Sequence, residues 1–246
     1  MLGDPEVKRA GDPSFNRLLA GLKPHDLSLI SSGLEDVTLA RGDVLFDAGQ
    51  DVDYVHFPQK GAIAGLVLNL RDGSSAESAM IGWEGAIGGI ISEGEKPAFT
   101  RGVVQIGGAA KRLHTDALEG AKRKSSTLRD HFARYADCLL AQVLQSVACN
   151  AVHGFDARLA RWLLSVQDRT GSAELRITQE FMSEMLAVQR PYITRIVGDL
   201  ERKGAIKKAR GQITIVHRDK LEHQACECYA YLRRHYDRLL PDVYPS

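Results

Sequence analysis

Residues 178–216 read TQEFMSEMLAVQRPYITRIVGDLERKGAIKKARGQITIV. Phe181, Met182, Met185 and Leu186 recur at the spacing of one face of a short helix. Ala187-Val188-Gln189 interrupts that period, and Ile193, Ile196, Val197 and Leu200 restart it. Gly204 stands where a C-terminal glycine would stop the second helix. Two short helices joined by so tight a turn should pack through Met185, Val188, Ile193 and Val197. The small Ser183 and Ala187 would let the backbones approach at the crossing. This is the pattern of a helix-turn-helix, whose second helix can enter a DNA major groove.

The charges agree. From Arg190 to Arg210 there are seven basic residues against two acidic ones, Asp199 and Glu201. Arg190 opens the second helix and Arg195 follows five residues later, so both can project from the half that reaches base edges. Beyond Gly204, the runs from Ile206 to Lys208 and from Gln212 to Val216 flank Ala209-Arg210-Gly211, as a hairpin wing with Arg210 at its tip near phosphate would. A helical hairpin with a merely solvated basic face would explain the helices, but not the wing and the charge together.

The order TQEFMSEMLAVQRPYITRIVGDLERKGAI followed by RGQITIV resembles the winged helix-turn-helix of the Crp/Fnr superfamily of bacterial transcription regulators. Thr178, Gln179, Leu186, Val188, Arg190, Arg195, Leu200, Glu201, Gly204 and Ile206 match its pattern. Pro191 departs from it, standing where the family frequently has Glu after the first recognition Arg. Proline is tolerated in a first helical turn, but the base contact of that Glu is lost, so the target sequence should differ. The resemblance implies DNA contacts from Thr178, Gln179, Gln189, Arg190, Tyr192, Thr194 and Arg195, and a backbone grip from Lys207, Lys208 and Arg210. It also implies a homodimer on palindromic double-stranded DNA and RNA polymerase as a further partner.

The rest of the chain suits a sensor joined to such a reader. A length of 246 residues accommodates two domains. The net charge of +1 conceals a division: residues 1–120 carry 11 Lys and Arg against 17 Asp and Glu, and residues 121–246 carry 21 against 14. An acidic front and a basic back fit a nucleic-acid partner for the second half. The N-terminus has no apolar signal core and no run approaches a membrane span, so a cytoplasmic location with no membrane partner is expected. Reduced thiols follow for the four cysteines.

Asp12-Pro13 reads as the start of a short helix through Leu18, Leu19 and Leu22, and Pro24 to Ser32 as a second. From Leu34 the period becomes two. The runs LEDVTLA, DVLFDAG, DYVHFP, GAIAGLVLNL, AESAMIG and TRGVVQIGG, separated by glycines, predict an antiparallel sandwich or jelly-roll barrel. Arg41 to Gly49 and Gly82 to Gly88 resemble the cyclic-nucleotide-binding fold of the same superfamily. Thr115 to Gly120 reads as a short helix. From Ser125 to Gly154 the pattern predicts one long helix spanning roughly 40 Å. One face would rest on the barrel, and the face near Leu140, Val143, Val147 and Ala151 would meet a second copy. Phe155 to Thr170 predicts an amphipathic helix with Leu159, Trp162, Leu163 and Val166 inward. A last helix from Arg218, with Leu221, Ala225, Cys228, Leu232 and Leu239 on one stripe, should pack on the reader. The class is therefore α+β: a sensor over residues 1–124, a dimerisation helix over 125–154 and a winged helix-turn-helix over 155–246.

The sensor site departs from the cyclic-nucleotide pattern. Relatives that bind such ligands carry Gly-Glu for the ribose and Arg-Ser or Arg-Thr for the phosphate. Here Gly88 is followed by Gly89, and Arg101 comes after Thr100 instead of before it. A one-residue slip turns a strand side chain to the other face, and a site built on hydrogen bonds discriminates sharply against a missing partner. Gly88, Gly89, Thr100 and Arg101 are thus the candidate effector residues, with a different effector, or none, expected in place of a cyclic nucleotide. A cyclic-nucleotide-responsive regulator remains the alternative, as does a regulatory protein whose winged domain docks protein.

No cofactor or metal is expected. Cys226 and Cys228, taken as neighbours on one helix, lie about 200° apart around its axis and could not clasp one ion together. Cys138 and Cys149 are eleven residues apart on the long helix. The N-terminal cysteine cluster of iron–sulfur relatives is missing, and His56 reads as a wall or surface residue, not a haem ligand. Structural thiols follow, with an exposed Cys226 open to oxidation. No phosphate loop, nucleophile elbow or paired-carboxylate spacing suggests an enzyme.

Overall fold

The computed structural model describes residues 15–71, 73, 75–90, 96–241 and 243–244; Asp12 and Pro13 lie outside them. Two short helices, α1 (Arg17–Ala20) and α2 (Pro24–Ser31), precede the sheets. Asn16 caps α1 by accepting from the Leu19 amide at 3.0 Å, and its own amide donates to the carbonyls of Pro58 and Gly85 at 2.8 Å each. One buried side chain thus starts the helix and pins it to the sensor.

Seven strands follow: β1 (Glu35–Leu39), β2 (Val44–Phe46), β3 (Tyr54–Pro58), β4 (Ile63–Asn69), β5 (Ser75–Ile81), β6 (Arg101–Ile106) and β7 (Gly108–His114). They form two antiparallel sheets, ordered β1-β7-β3 and β2-β6-β4-β5. The strand β7 is not announced by the sequence, because Lys111-Arg112 breaks the apolar alternation and Gly107-Gly108 reads as a turn. Its register on β1 places Glu35 opposite Arg112 and Asp36 opposite Lys111. Both pairs close at 2.8 Å, so the charges that obscure the strand are neutralised across the sheet.

The short helix α3 (Thr115–Lys124) leads into the long helix α4 (Ser126–Val152). Ser125 caps α4, its hydroxyl accepting from the Leu128 amide at 3.2 Å. Phe132, Tyr135, Cys138, Gln142 and Cys149 form the buried stripe of α4. Leu140, Leu144, Val147 and Ala151, spaced four, three and four residues apart, are exposed.

The C-terminal domain contains α5 (Phe155–Thr170), β8 (Glu174–Leu175), α6 (Gln179–Met185), α7 (Arg190–Arg202), the wing strands β9 (Ile206–Ala209) and β10 (Gln212–Ile215), and α8 (Arg218–Gln224). Its core gathers Leu159, Trp162, Leu163, Met182, Ile193, Val197 and Ile213. The last helix expected from sequence is in fact two. Ala225 turns extended, with φ −80° and ψ 152°, and α9 (Cys228–Leu239) begins afresh. Moreover α9 packs on α4, and Tyr236, Leu240, Val243 and Tyr244 join Leu18, Leu19, Phe132 and Tyr135 in one cluster. The chain end therefore returns to the N-terminal sheets, while the start of α9 stays on α5, where the Tyr229 hydroxyl donates to Asp168 at 2.7 Å.

The N-terminal sheets and the C-terminal domain meet in a buried polar seam. Arg169 of α5, 2% exposed, places Nε 3.0 Å from Oε1 of Glu84, 1% exposed, and its Nη2 donates to Gln142 Oε1 of α4 at 2.6 Å. Trp83 Nε1 donates to the Asp168 carbonyl at 2.8 Å, and Gln105 reaches Met185 of α6. Glu84 sits in the Gly82-Trp83-Glu84-Gly85 turn, so one arginine links barrel, long helix and reader. Among the described residues no helix is long and apolar enough to cross a membrane.

Candidate nucleic-acid interface and sensor cavity

The helix-turn-helix is built by capping at one end and backbone geometry at the other. Thr178 Oγ1 accepts from the Phe181 amide at 3.1 Å and starts α6. The helix ends in a Schellman arrangement: the Val188 amide donates to the Ser183 carbonyl at 3.0 Å and the Ala187 amide to Glu184 at 3.2 Å. Ala187 occupies the left-handed position with φ 51°, where glycine is usual. Ala187 is exposed, so its small size serves this turn and not the helix crossing. At the far end of α7, Gly204 takes φ 72°, as a glycine just past a helix should. Gly211, with φ 73°, closes a wing turn of two residues, Arg210-Gly211, one shorter than expected.

The buried face of α7 carries Ile193, Ile196, Val197 and Leu200. Gln189, Arg190, Tyr192, Thr194 and Arg195 lie on its exposed N-terminal half, and Lys207, Lys208 and Arg210 are exposed on the wing. Thr194 Oγ1 lies 2.7 Å from Gln179 Oε1, which joins the two helices across their solvent side. The Arg195 guanidinium stacks over the Tyr192 ring at 4.6 Å, and that ring lies 5.4 Å from Phe155. Arg195 also approaches Asp156 of α5 at 3.6 Å, and Lys208 pairs with Glu201 at 2.8 Å. Neither acidic partner was identified from sequence, since each becomes a neighbour only through tertiary packing. Both pairs are open to solvent, where such contacts are worth about 0–1 kcal/mol.

The sensor encloses a cavity of about 500 Å³ lined by Phe46, Val52, Leu66, Ile81, Leu139 and Lys96, with Gly88, Gly89 and Thr100 also on its wall. A Cβ at Gly89 would lie 3.1 Å from that of Ala86, against Val55 and Phe132. Arg101 does not line the cavity. Its Nε and Nη2 donate to Asp47 at 2.8 and 2.9 Å, which explains the reversed Thr-Arg order as an ion pair outside the cavity. Lys96 is occupied by Thr115 Oγ1 at 3.0 Å and by Asp116. Leu139 brings the long helix to the cavity wall, a contact the sequence did not announce. His56 is a buried residue of β3 and does not line the cavity; burial, aided by Arg112, pushes its pKa down to about 4.

Three of the four cysteines are not separate thiols but stand together with His153. All four are buried, Cys226 included. Because the chain breaks between α8 and α9, Cys226 and Cys228 are not on one helix. Their thiols converge on Cys149 and on His153, the C-cap of α4, and the four donor atoms all lie within 4.8 Å of one another. A Cys-x-x-x-His spacing at a helix end beside a Cys-x-Cys was the available signal. Cys138 stands apart, its thiol pushed up to about 12 by burial.

Comparison with known proteins sets this geometry in context. Residues 157–224 match the family model of the Crp-like helix-turn-helix domain. FixK2 from Bradyrhizobium japonicum superposes with a TM-score of 0.65 at 15% identity, covering 78% of this chain and 98% of that one. A Crp/Fnr-family transcriptional regulator from Thermus thermophilus gives 0.61 at 18% identity, with 78% and 98% covered. The c-di-GMP responsive global regulator CLP of Xanthomonas campestris gives 0.62 at 10% identity, with 78% and 99% covered. No curated protein sequence is significantly similar to the chain. The C-terminal segment thus resembles a Crp-like helix-turn-helix domain, and the overall fold is that of the Crp/Fnr regulators on which the chain superposes.

Proposed function

We propose that this chain, which has the fold of Crp/Fnr transcription regulators, is a sequence-specific regulator that binds palindromic double-stranded DNA as a homodimer. The observation that carries the reading is the surface of α7. Its inner face is sealed in the core, and its outer N-terminal half, from Gln189 to Arg195, is exposed beside a basic wing. Arg190 and Arg195 offer the bidentate fork that pairs with guanine O6 and N7. Lys207, Lys208 and Arg210 meet phosphate, which positions the helix without reading sequence. Two copies joined along Leu140, Val143, Val147 and Ala151 would set their recognition helices about 34 Å apart, one turn of DNA. Cytoplasmic DNA and RNA polymerase are the partners this reading implies.

Any effector is something other than a cyclic nucleotide, and the reading requires none. The cavity wall is mostly apolar, Lys96 is engaged and Arg101 lies outside it. Any ligand there would touch Leu139 and so bear directly on the long helix.

Selection of bound fragments from random DNA by the purified protein tests the proposal. A palindrome should emerge, and its affinity should fall steeply with salt. Three wing cations per protomer give about six phosphate contacts per dimer, a loss of roughly a thousandfold between about 50 and 200 mM salt. If no sequence is enriched and any residual binding varies little with salt, the winged domain docks protein instead.

A further inference from the structure

The long helix ends against the break between α8 and α9, and two pairs of metal-binding side chains face each other there. Cys149 lies in the last turn of α4 and His153 caps it, four residues apart and therefore on one face. Opposite them stand Cys226, in the break, and Cys228, at the start of α9. Cys149 Sγ is 3.5 Å from Cys226 Sγ, and Cys228 Sγ is 3.5 Å from His153 Nδ1. A tetrahedral zinc site with bonds of about 2.3 Å to sulfur and 2.0–2.1 Å to nitrogen has S–S edges of about 3.8 Å and S–N edges of about 3.5 Å. The two measured separations are close to such edges.

The surroundings are those of a ligand set. His153 presents Nδ1 to the thiols, and its Nε2 lies 3.3 Å from Glu227 Oε1. A carboxylate on the far nitrogen fixes the ring and raises the basicity of the ligating one. Gln145 Nε2 donates to Cys228 Sγ at 3.0 Å, a contact that favours a thiolate. Three thiolates around a divalent ion leave one negative charge, and the cationic Arg158 and Arg161 of α5 stand near enough to Cys149 to offset it. A disulfide between Cys149 and Cys226 would account for only two of the four donors. An iron–sulfur cluster needs its donors spread wider than the 4.8 Å within which all four lie here. Three thiolates with one imidazole select zinc among common divalent ions.

We propose that Cys149, His153, Cys226 and Cys228 form a four-coordinate structural zinc site that fixes the joint between the dimerisation helix and the reader. His153 is one residue from Gly154, the N-cap of α5, so an ion bound here would hold the reader at a set angle to the long helix. The site does not depend on the DNA-binding proposal, and its test needs no DNA.

The experiment uses the full chain, purified under reducing conditions without chelator. Elemental analysis should find one zinc per chain. Replacement by cobalt should give the intense visible bands of a tetrahedral ion and a thiolate-to-cobalt charge-transfer band. Cys228→Ser removes one of the three thiolates and should lower that charge-transfer band by at least about a third. Glu227→Gln, altering an exposed side chain with no part in the core, should keep the fold and the stoichiometry while weakening zinc affinity roughly 10–100-fold. Because the wild type and Glu227→Gln both fold, the result does not hang on Cys228→Ser surviving. Reduced wild-type protein that takes up neither metal would overturn the proposal. So would an octahedral cobalt spectrum, a Cys149–Cys226 disulfide in freshly reduced protein, or iron with labile sulfide at the site.

Discussion

At the scale of single residues, the surface proposed to meet DNA holds its cations in place without holding them hard. Arg195 is stacked on Tyr192 and paired with Asp156, yet Asp156 and Arg195 are both more than half exposed. Releasing that pair costs about 0–1 kcal/mol, whereas a bidentate Arg–guanine contact contributes about 1–3 kcal/mol of discrimination. The base wins. Arg195→Ala should therefore weaken binding to a selected palindrome by about 1–3 kcal/mol and relax preference at one position. Lys208→Ala should weaken all sequences alike and lower the salt slope by about 1 for each phosphate it no longer neutralises. Titrating both variants against the palindrome and a scrambled duplex checks this, and an unchanged Arg195→Ala would remove α7 as the reader. His56 acts on stability instead. Its folded pKa is about 4, against about 6.5 when unfolded, so the unfolded chain binds the extra proton between those values. Its contribution is fully present above pH ~6.5 and is lost as pH falls toward 4, at most roughly 3 kcal/mol. His131, held below its ordinary value by burial, runs in the same direction. His56→Leu, which also removes an unpaired Nδ1, should therefore flatten only part of the acid limb in urea melts at pH 7.5 and 5. An unchanged pH dependence would show that the ring is not what titrates.

At the scale of elements, the long helix divides its labour by face. Its buried stripe serves the sensor and the returning α9, and Leu144 and Val147 are left 61% and 66% exposed opposite. A charge at Val147 disturbs nothing within one subunit, so Val147→Glu should leave the monomer's melt within about 0.5 kcal/mol of wild type. It should nevertheless yield monomers in sedimentation and lose palindrome binding. A variant that remains dimeric would place the interface elsewhere. Most elements were legible because local signals agreed with the fold. Ser125 caps where it reads as a cap, α5 matches its apolar period, and Gly204 and Gly211 stand where positive φ is needed. The elements that sequence missed were those whose cause lies far away in the chain. Strand β7 reads as too charged until β1 supplies its counter-ions. The pair Glu174–Leu175 becomes a strand only by joining β10. The stripe from Leu221 to Leu239 looks continuous, because nothing in its own spacing shows that Ala225 turns extended and that α9 leaves for the long helix. The same break concealed the thiol cluster, since angles around an intact helix separate Cys226 from Cys228.

At the scale of the whole molecule, the cavity, the long helix and the reader are connected by few but costly contacts. Removing one partner of a buried ion pair such as Arg169–Glu84 costs about 3–5 kcal/mol, because the other charge stays unpaired. Leu139 lies at the cavity and Leu140 on the exposed face of the same turn, so whatever fills the cavity presses on the long helix just behind the face proposed to meet a second copy. What fills it is constrained by its chemistry. A cyclic nucleotide needs a cation for its phosphate and an acceptor for its ribose. Among the described residues the cavity offers neither in usable form: Arg101 is committed to Asp47, Lys96 to Thr115 and Asp116, and Gly89 has no side chain. A Cβ at Gly89 would meet Ala86, Val55 and Phe132, so even a restored carboxylate would start among apolar neighbours. Neither cyclic AMP nor cyclic GMP at millimolar concentration should shift the melting temperature, and selected DNA should be bound without them. The measurement is sensitive enough to decide. A ligand present at a hundred times its dissociation constant, binding only the folded state, adds about 2.7 kcal/mol, which moves a domain of this size by roughly 5–10 °C. A saturable shift of that order with either nucleotide would mean that the ion pairs of Arg101 or Lys96 open to receive the phosphate, and the cavity would then be a nucleotide site after all.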